Sequence, residues 1–256
     1  MPRDRPRKLW ARILAALTAL LVAAVAGVVL AYPSVAATTC PGCYGLTELE
    51  QGVYAEPGLS EAQRAQIRQV AADARKRVAT FYGTRVSSPT LLVCLTESCY
   101  QHIGGGKERG IAILNRSVML SPRGVNAVIS SHEMSHVELH TRLTSGAEVP
   151  QWFDEGLAVV VSDDPRYLAS KSSPDRCLVA PTVPLPATLE EWTGTASRDP
   201  GTYAKSACQV SRWLHQNGDH AAILSLIERL NAGEPFASIV KPTLPSRTEP
   251  FPPTHQ

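Results

Sequence analysis

The sequence predicts an α+β fold: one apolar N-terminal helix, a small sheet, then a mainly helical C-terminal part. Three observations carry this expectation. Residues 13–32, ILAALTALLVAAVAGVVLAY, hold no charge. Two short β-rich runs occupy 90–95 and 110–121. Beyond them, four stretches repeat apolar residues at helical spacing between Pro and Gly breaks.

The apolar run follows Arg3, Arg5, Arg7, Lys8 and Arg12. About twenty uncharged residues are enough to cross a hydrocarbon core of roughly 30 Å as a helix. The positive residues before it predict a cytoplasmic N-terminus and an exported remainder. Ser34-Val35-Ala36 offers small residues at the positions of a cleavage site, but the run exceeds the usual 7–15 residues of a signal peptide. The balance favours an uncleaved anchor and leaves a secreted form open.

Removing residues 1–31 leaves 20 Lys and Arg against 22 Asp and Glu. With no basic-aromatic stripe, nucleic-acid binding is excluded as an expectation. All six cysteines lie after the apolar run, and an even number in an exported chain reads as disulfides. Cys40–Cys43, Cys94–Cys99 and Cys177–Cys208 are the expected pairs among the fifteen sets that six cysteines allow. A redox role for Cys40-Pro-Gly-Cys43 would need a strand before it and a helix after it.

Residues 33–58, rich in small residues, Gly and Pro, read as a linker. Ser60, with Gln63 three residues on, has the pattern of a capping box. Ile67, Val70, Ala71, Ala74, Val78 and Phe81 follow at helical spacing, and Gly83 closes the helix. TLLVCL (90–95) reads as a buried strand, and 110–121 as a second strand or a hairpin. Gly104-Gly105-Gly106-Lys107 is not a phosphate loop, because Glu108 stands where Ser or Thr would be needed. Ser121-Pro122 reads as the start of a helix running to about Leu143. Another helix begins near Pro150. Residues 173–200, with five prolines, read as a long loop. Helices over about 202–216 and 219–231 follow, and the tail 241–256, also with five prolines, reads as disordered.

The chemistry concentrates in two of these helices. His132-Glu133-Met134-Ser135-His136 is an H-E-x-x-H match. Residues four apart share one helix face, with Cβ atoms about 5–6 Å apart, so two imidazoles can bind one zinc ion. Glu133 is rotated by about 100° and stands beside the metal, where it can accept a proton from a water. Glu155 follows His136 after eighteen residues, within Trp152-Phe153-Asp154-Glu155-Gly156-Leu157-Ala158.

At this point the sequence resembles the gluzincins, the thermolysin-like zinc peptidases with the H-E-x-x-H-x18-E arrangement. The resemblance covers roughly residues 60–235 and is specific at the two helices. It implies a zincin-like metallopeptidase domain over 59–240, preceded by an anchor or signal peptide over 1–32. It also implies Zn2+ on His132, His136 and Glu155, with Glu133 as general base and acid, acting on a peptide or protein substrate. Three protein ligands leave a zinc position open, as catalysis requires. The family's oxyanion-stabilising residue has Tyr203 and His220 as candidates here. The strand around Leu114–Leu120 is the one expected to pair with an extended substrate. His140 reads as a solvated or capping residue, because the metzincin pattern would need Gly and His where Leu139 and Arg142 stand. Asp154 should point about 100° away from Glu155. The thermolysin pattern also places an acid one turn after the metal Glu, to orient a ligand His. Here that position is Val159. A zinc-bearing domain that binds peptide or cell wall without cleaving it is the alternative reading. Neither oligomeric state nor cleavage preference is legible.

Overall fold

The computed structural model describes residues 4–144, 146–181 and 184–241. The charge-free run forms α1, Asp4–Ala31, whose stretch Trp10–Ala31 is long and apolar enough to cross a bilayer. Leu14, Leu20, Leu21 and Leu30 are exposed along it.

Residues 33–58 are not a linker. They form α2 (Pro33–Thr39), a 3-10 turn (Pro41–Tyr44) and two strands, β1 (Thr47–Glu50) and β2 (Val53–Ala55). Ala37, Val53 and Ala55 are fully buried. The glycines that read as linker residues instead mark turns, Gly45, Gly52 and Gly58 all having positive φ. Gly52 turns the chain between the strands at φ 74°.

Next come α3 (Glu61–Tyr82), β3 (Thr90–Val93), α4 (Glu97–His102), β4 (Gly110–Ile113) and β5 (Ser117–Leu120). The Ser60–Gln63 capping box starts α3 as expected, and Ile67, Ala71, Ala74, Val78 and Tyr82 form its buried face. The sheet order is β1-β2-β3-β5-β4. The β2–β3 and β3–β5 pairs are parallel, while β4 runs antiparallel to β5. Thus β4 is an edge strand and β5 an interior one.

The helical part comprises α5 (Ala127–Arg142), α6 (Gln151–Ser162), α7 (Leu189–Ala196), α8 (Gly201–Asn217), α9 (His220–Asn231) and α10 (Phe236–Ile239). Helix α5 starts later than Ser121-Pro122 suggested. Asn126 is its cap, accepting from the Ile129 N–H at 3.0 Å. Ser121 instead donates twice to the Arg109 carbonyl, from N at 2.9 Å and Oγ at 2.8 Å. Gly124 lies so close that a Cβ there would stand 1.8 Å from that same oxygen. The expected 173–200 loop contains α7, set off by a Thr188–Glu191 capping box. The tail from 242 lies outside the described residues.

Both sheet faces are covered, so the inner strands are apolar throughout. On one face Leu91, Val93, Val118 and Leu120 join the main core with α3, α5, α6, α8 and α9. On the other, Leu92 and Met119 meet Ala37, Leu46, Tyr100 and Ile103. All six cysteines are paired, as Cys40–Cys43, Cys94–Cys99 and Cys177–Cys208. The first pair follows a helix and precedes a strand, the reverse of a redox motif's setting. The disulfides and the apolar helix together fit an extracytoplasmic domain.

Helices α6 and α8 pack through Gly156, where a Cβ would stand 2.6 Å from the Ser206 carbonyl oxygen. Backbone cannot yield there as a flexible side chain would. Gly156→Ala is therefore expected to destabilise the protein by about 1–3 kcal/mol, even though Ala favours a helix. That corresponds to a fall in melting temperature of roughly 2–10 °C; an unchanged melting curve would show that the helices can separate freely.

Candidate metal centre

Helix α5 carries His132, Glu133 and His136, and α6 packs against it with Glu155. The structure brings three donor atoms together. His132 Nε2 lies 3.2 Å from His136 Nε2 and 3.3 Å from Glu155 Oε2. His136 Nε2 lies 3.8 Å from the same oxygen. Tetrahedral zinc with bonds of about 2.0–2.1 Å separates its ligands by about 3.3 Å. Glu155 Oε2 is buried, and apart from the ring nitrogens of His132 and His136 it has no hydrogen-bonding partner. Its other oxygen accepts from Gln151 Nε2 at 3.1 Å, which fixes the carboxylate's orientation. A buried carboxylate oxygen with no further partner is costly, and a cation between the three donors removes that cost. The residues fit Zn2+.

Asp154 points away from this cluster, as its position on the helix implies, but it is not idle. Its Oδ1 hydrogen bonds with His136 Nδ1 at 2.7 Å, and its Oδ2 with His140 Nε2 at 2.7 Å. His140, still partly open to solvent near the end of α5, thus shares a carboxylate with His136. Val159, where the resemblance would place an orienting acid, is fully buried in the core. Asp154 does the orienting from the other flank of the helix. Burial alone would raise the Asp154 carboxyl, but His136 and His140 outweigh it and hold it far below the usual carboxylate range. Burial likewise pulls His136 down, and Asp154 reverses this, lifting it to about 10. The Asp154 carboxylate holds His136 by Nδ1 and so leaves Nε2 facing the cluster.

Comparison of the chain with protein-family models and with curated proteins returns no match. The chemistry is accordingly argued from this geometry.

Glu133 is buried beside the cluster, below the edge strand β4. The Ala112 backbone N–H bonds to its carboxylate. At Gly110 a Cβ would stand 2.8 Å from Glu133 Cγ and 3.0 Å from Ile129 Cγ2, so only glycine leaves the Glu133 side chain its place. Burial pushes Glu133 above the ordinary carboxylate range, against the opposing pull of His132 and His136. That is the direction a general base working near neutrality needs.

Of the two oxyanion candidates, only Tyr203 is near. Its ring centroid lies 6.5 Å from that of His132, stacked on Tyr167 at 5.0 Å and edge-on to Trp192 at 4.8 Å. Trp192 also hydrogen bonds to its hydroxyl, while burial holds the phenol well above its ordinary pKa, so it stays a neutral donor. His220 instead lines a cavity of about 990 Å³ between α3, α6, α8 and α9, which includes neither Glu133 nor any of the three cluster residues. The expectation that residues 114–120 pair with substrate is also corrected. Leu114 and Asn115 turn the hairpin at positive φ, and β5 already has partners on both sides. Among the described residues the edge strands are β1 and β4, and β4 is the one beside Glu133.

Replacing Asp154 by Asn is expected to weaken zinc binding about 10–100-fold, because the His136 ring loses its charged partner. Competition against a chromogenic chelator measures this. Unaltered affinity would mean that His136 is oriented by packing alone.

Proposed function

We propose that this chain is a zinc-dependent endopeptidase of gluzincin type, with a zincin-like domain working outside the cytoplasm. One observation carries the reading: three donor atoms 3.2 to 3.8 Å apart converge next to a buried carboxylate under the edge strand β4. His132, His136 and Glu155 would hold the metal. Bound there, zinc supplies Lewis-acid polarisation of a substrate carbonyl and acidifies a water.

The chain's own residues account for the remaining steps. The free edge of β4 can receive an extended peptide as an added strand, which places a scissile carbonyl above the cluster. Glu133 takes a proton from the attacking water and passes a proton to the leaving amine. Tyr203, a neutral phenol whose ring lies beside His132, can donate its proton to the oxygen on which charge develops. Asp154 and Gln151 keep His136 and Glu155 aimed.

The test is metal analysis paired with digestion of a peptide library. One zinc per chain and cleavage that is lost with chelator and restored by zinc are expected. A chain that retains no stoichiometric zinc would sink the proposal. Zinc with peptide affinity but no cleavage would favour the binding-domain alternative.

A further inference from the structure

We infer that the apolar helix stays attached and seats the domain directly on the membrane, so that the site acts on membrane-tethered polypeptides close to their anchors. The substrate half of this inference rests on the peptidase reading; the membrane seat does not.

The seat follows from how residues 32–46 are used. Only Tyr32 separates the end of α1 from α2. Helix α2 is already part of the domain: Ala37 is fully buried, and Val35 and Tyr44 pack on the cluster formed by Leu92, Tyr100 and Ile103. The loop after α4 closes on its first turn, where a Cβ at Gly104 would stand 2.5 Å from Ser34 N and 2.9 Å from Pro33 Cγ. Ser34-Val35-Ala36, which has small residues at cleavage positions, lies inside this helix. Removal at Ala36 would strip away Pro33, Ser34 and Val35 and uncover that face of the sheet. Residues 33–36 are half-buried and Val35 packs on that cluster, so a cut after Ala36 would remove a contact that the domain uses.

The substrate class follows from the distance. Helix α2 has seven residues, a length of about 10 Å, and packs directly against the edge strand β4. Strand β4 is therefore one short helix away from the end of the apolar helix. An extended spacer of about six residues reaches roughly 20 Å, about twice the length of that helix. Polypeptides anchored in the same bilayer present their first residues beyond the membrane at this height, at high effective concentration. A soluble substrate gains nothing from a domain without a stalk.

Two measurements test this on the full chain. In the first, the exported protein is recovered from host membranes and its intact mass read. A chain of 27.6 kDa that still carries residues 1–36 is expected; a product beginning at Ala37 overturns the membrane seat. In the second, the zinc-loaded chain in phosphatidylcholine vesicles is given one cleavable library peptide on a lipid anchor, through spacers of about 6 or about 40 residues. At equal surface density, turnover of the short-spacer form at least tenfold faster is expected. Equal rates, or a faster long-spacer form, overturn the substrate class. No cleavage of any peptide, tethered or free, overturns the peptidase reading and the substrate class with it, while the mass still decides the seat.

Discussion

Glu133→Gln is expected to lower peptide hydrolysis by about 10²–10⁴-fold, with zinc content and melting temperature unchanged. The two halves of this outcome come from different contacts. Glu133 is not among the three residues whose donor atoms converge, so removing its charge takes no ligand from the metal. Gln has the same shape, and its carbonyl oxygen can still accept the Ala112 N–H that holds the carboxylate. What Gln cannot do is take a proton from water. The loss should appear in kcat with KM nearly constant, because the proton moves only on the way to the transition state. Steady-state kinetics on one library peptide, beside metal analysis and a melting curve, read all three quantities. Full activity in the variant would assign the base to another group, and a loss of zinc would make Glu133 part of the ligand set.

The parts of the site that were legible in the sequence are those fixed within one helix. His132 and His136 share a face because four residues make about one turn, and no distant contact can change that. The same reasoning showed correctly where Asp154 does not point. It could not show what lies on the other side, because His136 and His140 reach Asp154 only through the packing of α5 on α6. Glu155 was legible only by its distance from His136, through a family resemblance.

The sheet was harder to read for the same reason. β3 pairs with β5, which lies beyond β4 in the chain, so the place of β4 at an edge is decided by long-range order and not by any local pattern. Residues 33–58 were misread because small residues suit both an exposed linker and a tightly packed layer. Their burial depends on Tyr100 and Ile103, more than forty residues away. At the start of α5 a strong local signal lost to a tertiary one. Ser121 ties β4 to the turn through the Arg109 carbonyl, and Asn126 caps the helix in its place. Thr188 and Glu191, by contrast, did carry a readable capping box, and the prolines around them masked it.

The scaffold under α5 depends on one buried acid. Glu138 has no exposed surface. It accepts from the Val86 N–H at 2.8 Å, the Ser87 N–H at 2.9 Å, the Ser87 hydroxyl, and Arg142 Nε at 2.8 Å. Arg142 Nη2 in turn donates to the Thr84 carbonyl at 2.8 Å, so the segment after α3 is fastened to α5 at both ends. Glu138→Ala is expected to cost about 3–5 kcal/mol, because it leaves a cation and three donors without their acceptor. For a chain of this size that is a fall of roughly 6–20 °C in melting temperature. The acid dependence has a definite sign. Burial pushes the Glu138 carboxyl up, but the hydrogen bonds from Ser87, Val86 and Arg142 outweigh it, so its folded pKa lies below the unfolded value near 4.5. Its contribution is therefore complete above pH 4.5 and fades as the pH falls through the folded value. Urea melts of wild type and Glu138→Gln at pH 7 and pH 3.5 isolate the effect. The gap between them should be widest at pH 7 and should narrow in acid. A gap independent of pH would mean that Glu138 acts by its shape and not by its charge.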